Sequence, residues 1–173
     1  MYDGLKGSYD VAVGERAVYL RVNGLASMNN CLCVRDFLED MAAKGRTFLV
    51  VDLKYCTGMD STFMGVLAQA ATHDRSGRRM AVAVVNADEH LVGLLRSVGL
   101  TEIIYVDPEP FEAPDLEFHR LEETATEKER LDLIRSAHEH LMRISQKNEC
   151  LFGPLIRAIE EEMRARGLLS PSE

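Results

Sequence analysis

The sequence predicts an α/β domain, and three observations carry that expectation. Two runs of consecutive apolar residues rich in valine, Phe48-Leu49-Val50-Val51 and Met80-Ala81-Val82-Ala83-Val84-Val85, read as strands buried on both faces. Between and after them, apolar residues recur at three- and four-residue spacing, the period of an amphipathic helix. Gly45, Gly77 and Gly99 each follow such a stretch, where a helix C-terminus takes a left-handed residue.

Residues 9–23 alternate apolar and polar side chains on either side of Gly14-Glu15, the pattern of a hairpin. From about 30 to 44, Val34, Phe37, Leu38 and Met41 mark a first helix. The apolar run 47–53 is the central strand, and Phe63, Val66, Leu67 and Ala70 mark a second helix over about 61–74. After the strand 80–85, Asp88 is placed to cap a third helix bearing Leu91, Leu94, Leu95 and Val98. Ile103-Ile104-Tyr105-Val106 is a last short strand. The order ββαβαβαβ requires helical crossovers that cover a sheet of four to five strands.

Three segments follow from this division: a domain over 1–106, a linker over 107–125 and a helical extension over 126–173. Pro108, Pro110 and Pro114 fall among acidic residues after Val106, a composition that supports a linker and not a core. Beyond it, Leu131, Ile134, Leu141 and Ile144 recur at helical spacing. Gly153-Pro154 is expected to interrupt the pattern before a further helix with Ile156, Ile159 and Met163. An apolar helix face needs a covering surface, which the domain itself, a second copy in a homodimer, or an external partner can supply.

The formal net charge of -8, from 20 Lys+Arg against 28 Asp+Glu, lacks the positive field that phosphate backbones and anionic membranes select for. Residues 1–106 carry a net -1 and 107–173 a net -7, so the acidity belongs to the tail. No basic leader or apolar run of membrane-spanning length is visible, and the expected location is cytoplasmic. Cys31, Cys33, Cys56 and Cys150 form no C-x-x-C pair and are expected to be reduced thiols.

The junction from the central strand into the second helix, Val51-Asp52-Leu53-Lys54-Tyr55-Cys56-Thr57-Gly58-Met59-Asp60-Ser61-Thr62-Phe63-Met64-Gly65, resembles the STAS domain of bacterial anti-sigma factor antagonists. Asp60, Ser61, Thr62 and Gly65 match that family's pattern. Phe63 departs from it, standing where a small residue is usual. Val84-Val85-Asn86, the stretch Leu91 to Leu100 and Ile103 to Val106 are similar to the family's later strand, third helix and exit. The resemblance covers about 9–106 and implies a STAS-like sheet with helices packed on one side. It also implies partner switching. Unphosphorylated, the chain would bind an anti-sigma serine kinase and free a sigma factor; phosphorylation of Ser61 would release the kinase. An alternative is a STAS scaffold that assembles a signalling complex without phosphorylation.

In the partner-switching reading Ser61 is the phosphoacceptor, with Met59, Asp60, Thr62 and Phe63 forming the partner-binding surface. Thr62 is a possible second acceptor. Asp60 or Ser61 equally suits a plain helix N-cap, accepting from free N–H groups of the first turn. The ring of Phe63 is either buried or presented beside Ser61. His138 and His140, two apart on a helix, project to different sides, cannot share a metal, and are expected on a solvated face. No phosphate-binding glycine loop, dinucleotide fingerprint or nucleophile elbow occurs, so no catalytic residue, cofactor or metal is expected and the chain reads as non-enzymatic.

Overall fold

The structure, a computed structural model, describes residues 6–72 and 77–169. The expected hairpin forms β1 (Ser8–Val13) and β2 (Val18–Ala26), paired antiparallel, with Gly14 N–H donating to the Ala17 carbonyl at 2.9 Å across the turn. Helix α1 (Leu32–Ala43) carries the chain to β3 (Phe48–Met59), α2 (Ser61–Thr72) to β4 (Ala81–Val85), and α3 (Glu89–Ser97) to β5 (Tyr105–Val106). Strands β2 to β5 are parallel, each step being crossed by a helix, as the geometry of parallel pairing demands. The expected extension of the second helix to Asp74 lies outside the described residues. The last strand is shorter than expected because Leu100–Glu102 forms a one-turn 3-10 helix and Ile104 N–H bonds back to the Leu100 carbonyl at 3.0 Å.

Two features of the sheet position the site. Strand β3 runs six residues past the apolar run, pairing with β2 as far as Met59 through two register shifts, between Arg21 and Asn23 and between Gly24 and Leu25. Such bulges bend the strand and increase its twist, and here they deliver the chain directly to Asp60 at the head of α2. Side chains on β3 then alternate: Leu49, Val51 and Leu53 enter the main core under the helices, while Val50 faces the opposite side with Ala17 and Val85.

That opposite face is covered by the segment expected to be a linker. The sheet order is β5-β4-β3-β2-β1-β6, and the sixth strand is β6 (His119–Arg120), antiparallel to β1. Residues 107–118 therefore travel from one edge of the sheet to the other, about 24 Å at roughly 4.8 Å per strand, well within the reach of an extended chain of that length. The strap is held by side chains that no periodicity marks. Asn86 donates from Nδ2 to the Phe111 carbonyl (2.9 Å) and to Asp52 Oδ1 (2.8 Å), and its Oδ1 accepts from Phe111 N–H (3.0 Å). The Phe111 ring stacks on Tyr19 with centroids 6.5 Å apart, and Arg21 lies 4.1 Å from the centre of the Phe118 ring. An otherwise bare parallel sheet face thus gains a cover without a second helical layer.

From β6 the chain returns to the helical side. Glu123 accepts from Cys33 N–H at 3.2 Å, supplying α1 with the cap that Cys31 does not provide. Thr126 and Glu129 form a reciprocal capping box that starts α4 (Glu127–Met142). The buried stripe of α4 is Leu133, Ala137, His138 and Leu141; Leu131 and Ile134, expected inside, are only half-buried. Helix α5 (Gln146–Ala165) begins at Ser145, whose hydroxyl accepts from Asn148 N–H, and runs through Gly153-Pro154 without stopping, contrary to the expected interruption. The buried Asn148 amide donates to the carbonyls of Val98 (2.9 Å) and Leu141 (2.8 Å), tying α5 to the end of α3. No helix among the described residues is long and apolar enough to cross a membrane.

Candidate functional site

Asp60 is the first residue after β3, and both its carboxylate oxygens are used. Oδ1 accepts from Phe63 N–H at 3.0 Å, the bond of an N-cap to the third residue of its helix, while Oδ2 accepts from Met28 N–H at 2.8 Å in the β2–α1 loop. Asp60 therefore caps α2 and clamps the neighbouring loop to it. The Ser61 hydroxyl is released from capping duty and turned elsewhere.

It meets His138. Ser61 Oγ lies 2.8 Å from His138 Nε2, and His138 Nδ1 lies 2.7 Å from the Ile134 carbonyl oxygen one turn earlier in α4. A carbonyl oxygen only accepts, so Nδ1 carries the ring proton. Burial pushes the imidazole below its ordinary pKa, opposed in part by the Ile134 hydrogen bond and the Asp60 charge, so the neutral ring presents a lone pair at Nε2. Ser61 then donates its hydroxyl proton to His138. The ring is 1% exposed and packs edge-on against Phe152 of α5, with centroids 4.9 Å apart.

This pair corrects the sequence expectation of a solvated face at 138–140: His138 is inside, while His140 is only half-buried and bonds through Nδ1 to the Ser136 carbonyl at 2.8 Å. What brings α4 so close is Gly65. A Cβ at that position would overlap the backbone carbonyl and Cβ of Ala137, so two small residues let the helices touch backbone to backbone. Ser61 lies one turn before Gly65 on the same face, and His138 follows Ala137, so the close crossing sets the hydrogen bond.

The residues expected to form a partner surface are divided by burial. Phe63 is 0% exposed and stacks on Tyr9, with centroids 5.9 Å apart and planes 16° apart, filling core space. Met59 and Thr62 are likewise buried, so in this conformation these three side chains are packed inward, and only Asp60 and Ser61 remain partly exposed. Large rings pack inward because their apolar area dominates, and the pair gains about 0.5–1.5 kcal/mol beyond area burial. Asn30 braces the same end of the sheet, accepting from Tyr9 Oη (2.7 Å) and Ser27 N–H (2.9 Å).

No curated protein matches the chain. Solved structures similar to it include an anti-sigma factor antagonist from Mycobacterium paratuberculosis, at 15% identity over 60% of this chain and 87% of that one, with a TM-score of 0.49. Another is the anti-sigma factor antagonist SpoIIAA in its unphosphorylated form, at 15% identity, 73% and 97% coverage and a TM-score of 0.45. A third is the Bacillus cell fate determinant SpoIIAA in the phosphorylated form, at 16% identity, 58% and 92% coverage and a TM-score of 0.44. The family model described as "Mlab, STAS domain" matches residues 10–105, a span that holds the strand β3, Asp60, Ser61 and the helix they begin. With that match over more than half its length, the chain belongs to the STAS domain family.

Proposed function

We propose that this protein is an anti-sigma factor antagonist that works by partner switching, with Ser61 as its phosphoacceptor and an anti-sigma serine kinase as its partner. One observation carries the reading: Asp60 does the capping of α2, so the Ser61 hydroxyl at the first helical position is not needed as the helix cap and, among the described residues, bonds to the His138 side chain of α4. The chain contributes binding and an acceptor and no catalysis of its own; the kinase supplies ATP. A phosphoryl group at Ser61 adds about -1.5 to -2 charges, which a helix N-terminus tolerates but a desolvated partner face does not. Phosphorylation then ejects the kinase. Intact-mass measurement of the protein isolated from its native host tests this, with an added phosphate mapped to Ser61 expected. Absence of phosphate under every growth condition would sink it.

The scaffold reading has its own support, since the Ser61 hydroxyl is already engaged within the chain. A Ser61→Ala variant that still assembles the native complex and retains its signalling output would favour it. The homodimer reading of the C-terminal helices rests on the outer face of α5, where Leu151 is 57% and Leu155 39% exposed. Light scattering of the full chain, before and after Leu151→Glu, tests it.

A further inference from the structure

The hydrogen bond between Ser61 and α4 has a fixed direction. Because His138 Nδ1–H is committed to the Ile134 carbonyl, Nε2 can only accept while the ring is neutral, and Ser61 must be the donor. Phosphorylation removes that donor. As the Oγ–P bond forms, the β–γ phosphoanhydride bond of the kinase's ATP breaks, ADP leaves with the bond's electrons, and the hydroxyl proton passes to solvent. Ser61 would then offer acceptor oxygens to an acceptor nitrogen, with the Asp60 carboxylate adding charge of the same sign nearby. The side of Ser61 that faces α4 is closed: His138 is 1% exposed against Phe152, and the Gly65–Ala137 crossing leaves no slack between α2 and α4.

We infer that α4 and α5 form a built-in arm that covers the Ser61 face, docked while Ser61 keeps its hydroxyl proton and released when a phosphoryl group replaces it. The inference rests on the reading of Ser61 as a phosphoacceptor and adds a second occupant of the same surface. A kinase reaching Ser61 must first displace the arm, so its apparent affinity falls in proportion to the fraction of chains with the arm open. After phosphorylation, neither occupant fits, and the apolar stripe of Leu133, Ala137 and Leu141 becomes available to solvent or to another partner.

Hydrogen exchange on the full chain, with phosphoserine encoded at position 61, tests the inference. Exchange over 127–142 and 146–165 is expected to rise at least tenfold relative to the unmodified chain, while 48–53 in β3 keeps its protection. Unchanged protection in α4 would overturn the inference. So would increased protection, which would mean that His138 takes up a proton and pairs with the phosphate. Should the phosphoserine chain fail to fold, Gly65→Ala serves instead, because the added Cβ drives α4 away without altering Ser61. Loss of β3 protection together with α4 in that variant would show the helices to be one cooperative unit with the sheet, and would overturn the arm. The outcomes remain separable from the proposed function. If the native protein carries no phosphate but the encoded phosphoserine frees α4, partner switching fails and the coupling stands; if native phosphate is present and α4 stays docked, the reverse holds.

Discussion

Replacing Asn86 tests whether the strap across the back of the sheet is held as described. Asn86 has φ 56°, in the left-handed region, and its side chain makes two hydrogen bonds to the Phe111 backbone and one to Asp52. Asn86→Ala removes all three bonds, each worth about 1 kcal/mol net. Asp52 retains Lys54 N–H at 3.0 Å and Arg21 at 3.7 Å, so its loss is partly recovered and the bonds together come to about 2–3 kcal/mol. The left-handed backbone adds about 1 kcal/mol for alanine. Asn86→Gly loses the same bonds without that penalty. Urea unfolding of the full chain should therefore place Asn86→Ala about 3–4 kcal/mol below the native protein and Asn86→Gly about 1 kcal/mol above the alanine variant. An alanine variant within about 0.5 kcal/mol of native would show that the strap is not pinned here, and a glycine variant no better than alanine would remove the backbone from the explanation.

The remaining predictions concern the C-terminal helices and the thiols. His138 is held neutral below its ordinary value of 6.5, so as pH falls through that value the unfolded chain takes up a proton that the folded chain refuses. Stability should fall as pH drops from 7 to 5 and be flat above 7, and the difference between the native protein and His138→Gln in denaturant unfolding should show this slope; a flat difference would contradict the buried neutral ring. Pro154 is exposed inside α5 and denies the Cys150 carbonyl its helical donor, so Pro154→Ala should stabilise the protein by about 1–3 kcal/mol in thermal unfolding, and no gain would mean that the turn is adapted to proline. A maleimide should label Cys150 quickly and Cys31, Cys33 and Cys56 slowly, since Cys150 is exposed while burial pushes the other three thiols up, Cys33 to about 12. Fast labelling of Cys33, read by peptide mapping, would place α1 and Glu123 apart.

The order of elements through Val106 was legible because each depends on a local pattern: unbroken apolar runs make strands of a covered parallel sheet, and three- to four-residue spacing makes the helices over them. The strap was not. Its contacts join Tyr19 to Phe111, Arg21 to Phe118 and Asp10 to Arg120, pairs separated by roughly a hundred positions and linked only once the sheet exists. Prolines and acidic residues mark a segment without helix, and 107–118 forms none, but Phe111 packs against the Ala17, Val50 and Val85 cluster. What they do not mark is where such a segment lies, because an extended chain with a few aromatic anchors can cover a sheet as well as leave it. Pro154 misled for a related reason: the cost of a proline in a helix is finite, and α5 offsets it by burying Phe152, Ile156, Ile159 and Met163 on one face.

At the candidate site, the motif singles out Asp60 and Ser61, while His138 was expected on a solvated face although helical spacing set it among the apolar positions. Two histidines at i and i+2 diverge, but divergence says nothing about which one faces inward. Position 138 is seven after Leu131, four after Ile134 and three before Leu141, so the expected stripe already contained His138; the row Leu133, Ala137 and Leu141, an unbroken i, i+4, i+8 series, lies to one side of it. The signal for the close approach to α2 was the small residue at the middle of that row. Ala137 buries little area, so a stripe chosen by hydrophobicity passes over it, yet a small side chain is what a close helix crossing needs. Gly65, the matching small residue, stands in α2 four positions after Ser61, and the Cβ it lacks is the space that Ala137 fills. Once those two are set against each other, the direction of both helices leaves His138 within reach of the Ser61 hydroxyl. Gly65, matched to the family motif on sequence grounds, thus acquires a physical role in this chain: it admits the helix that covers the serine.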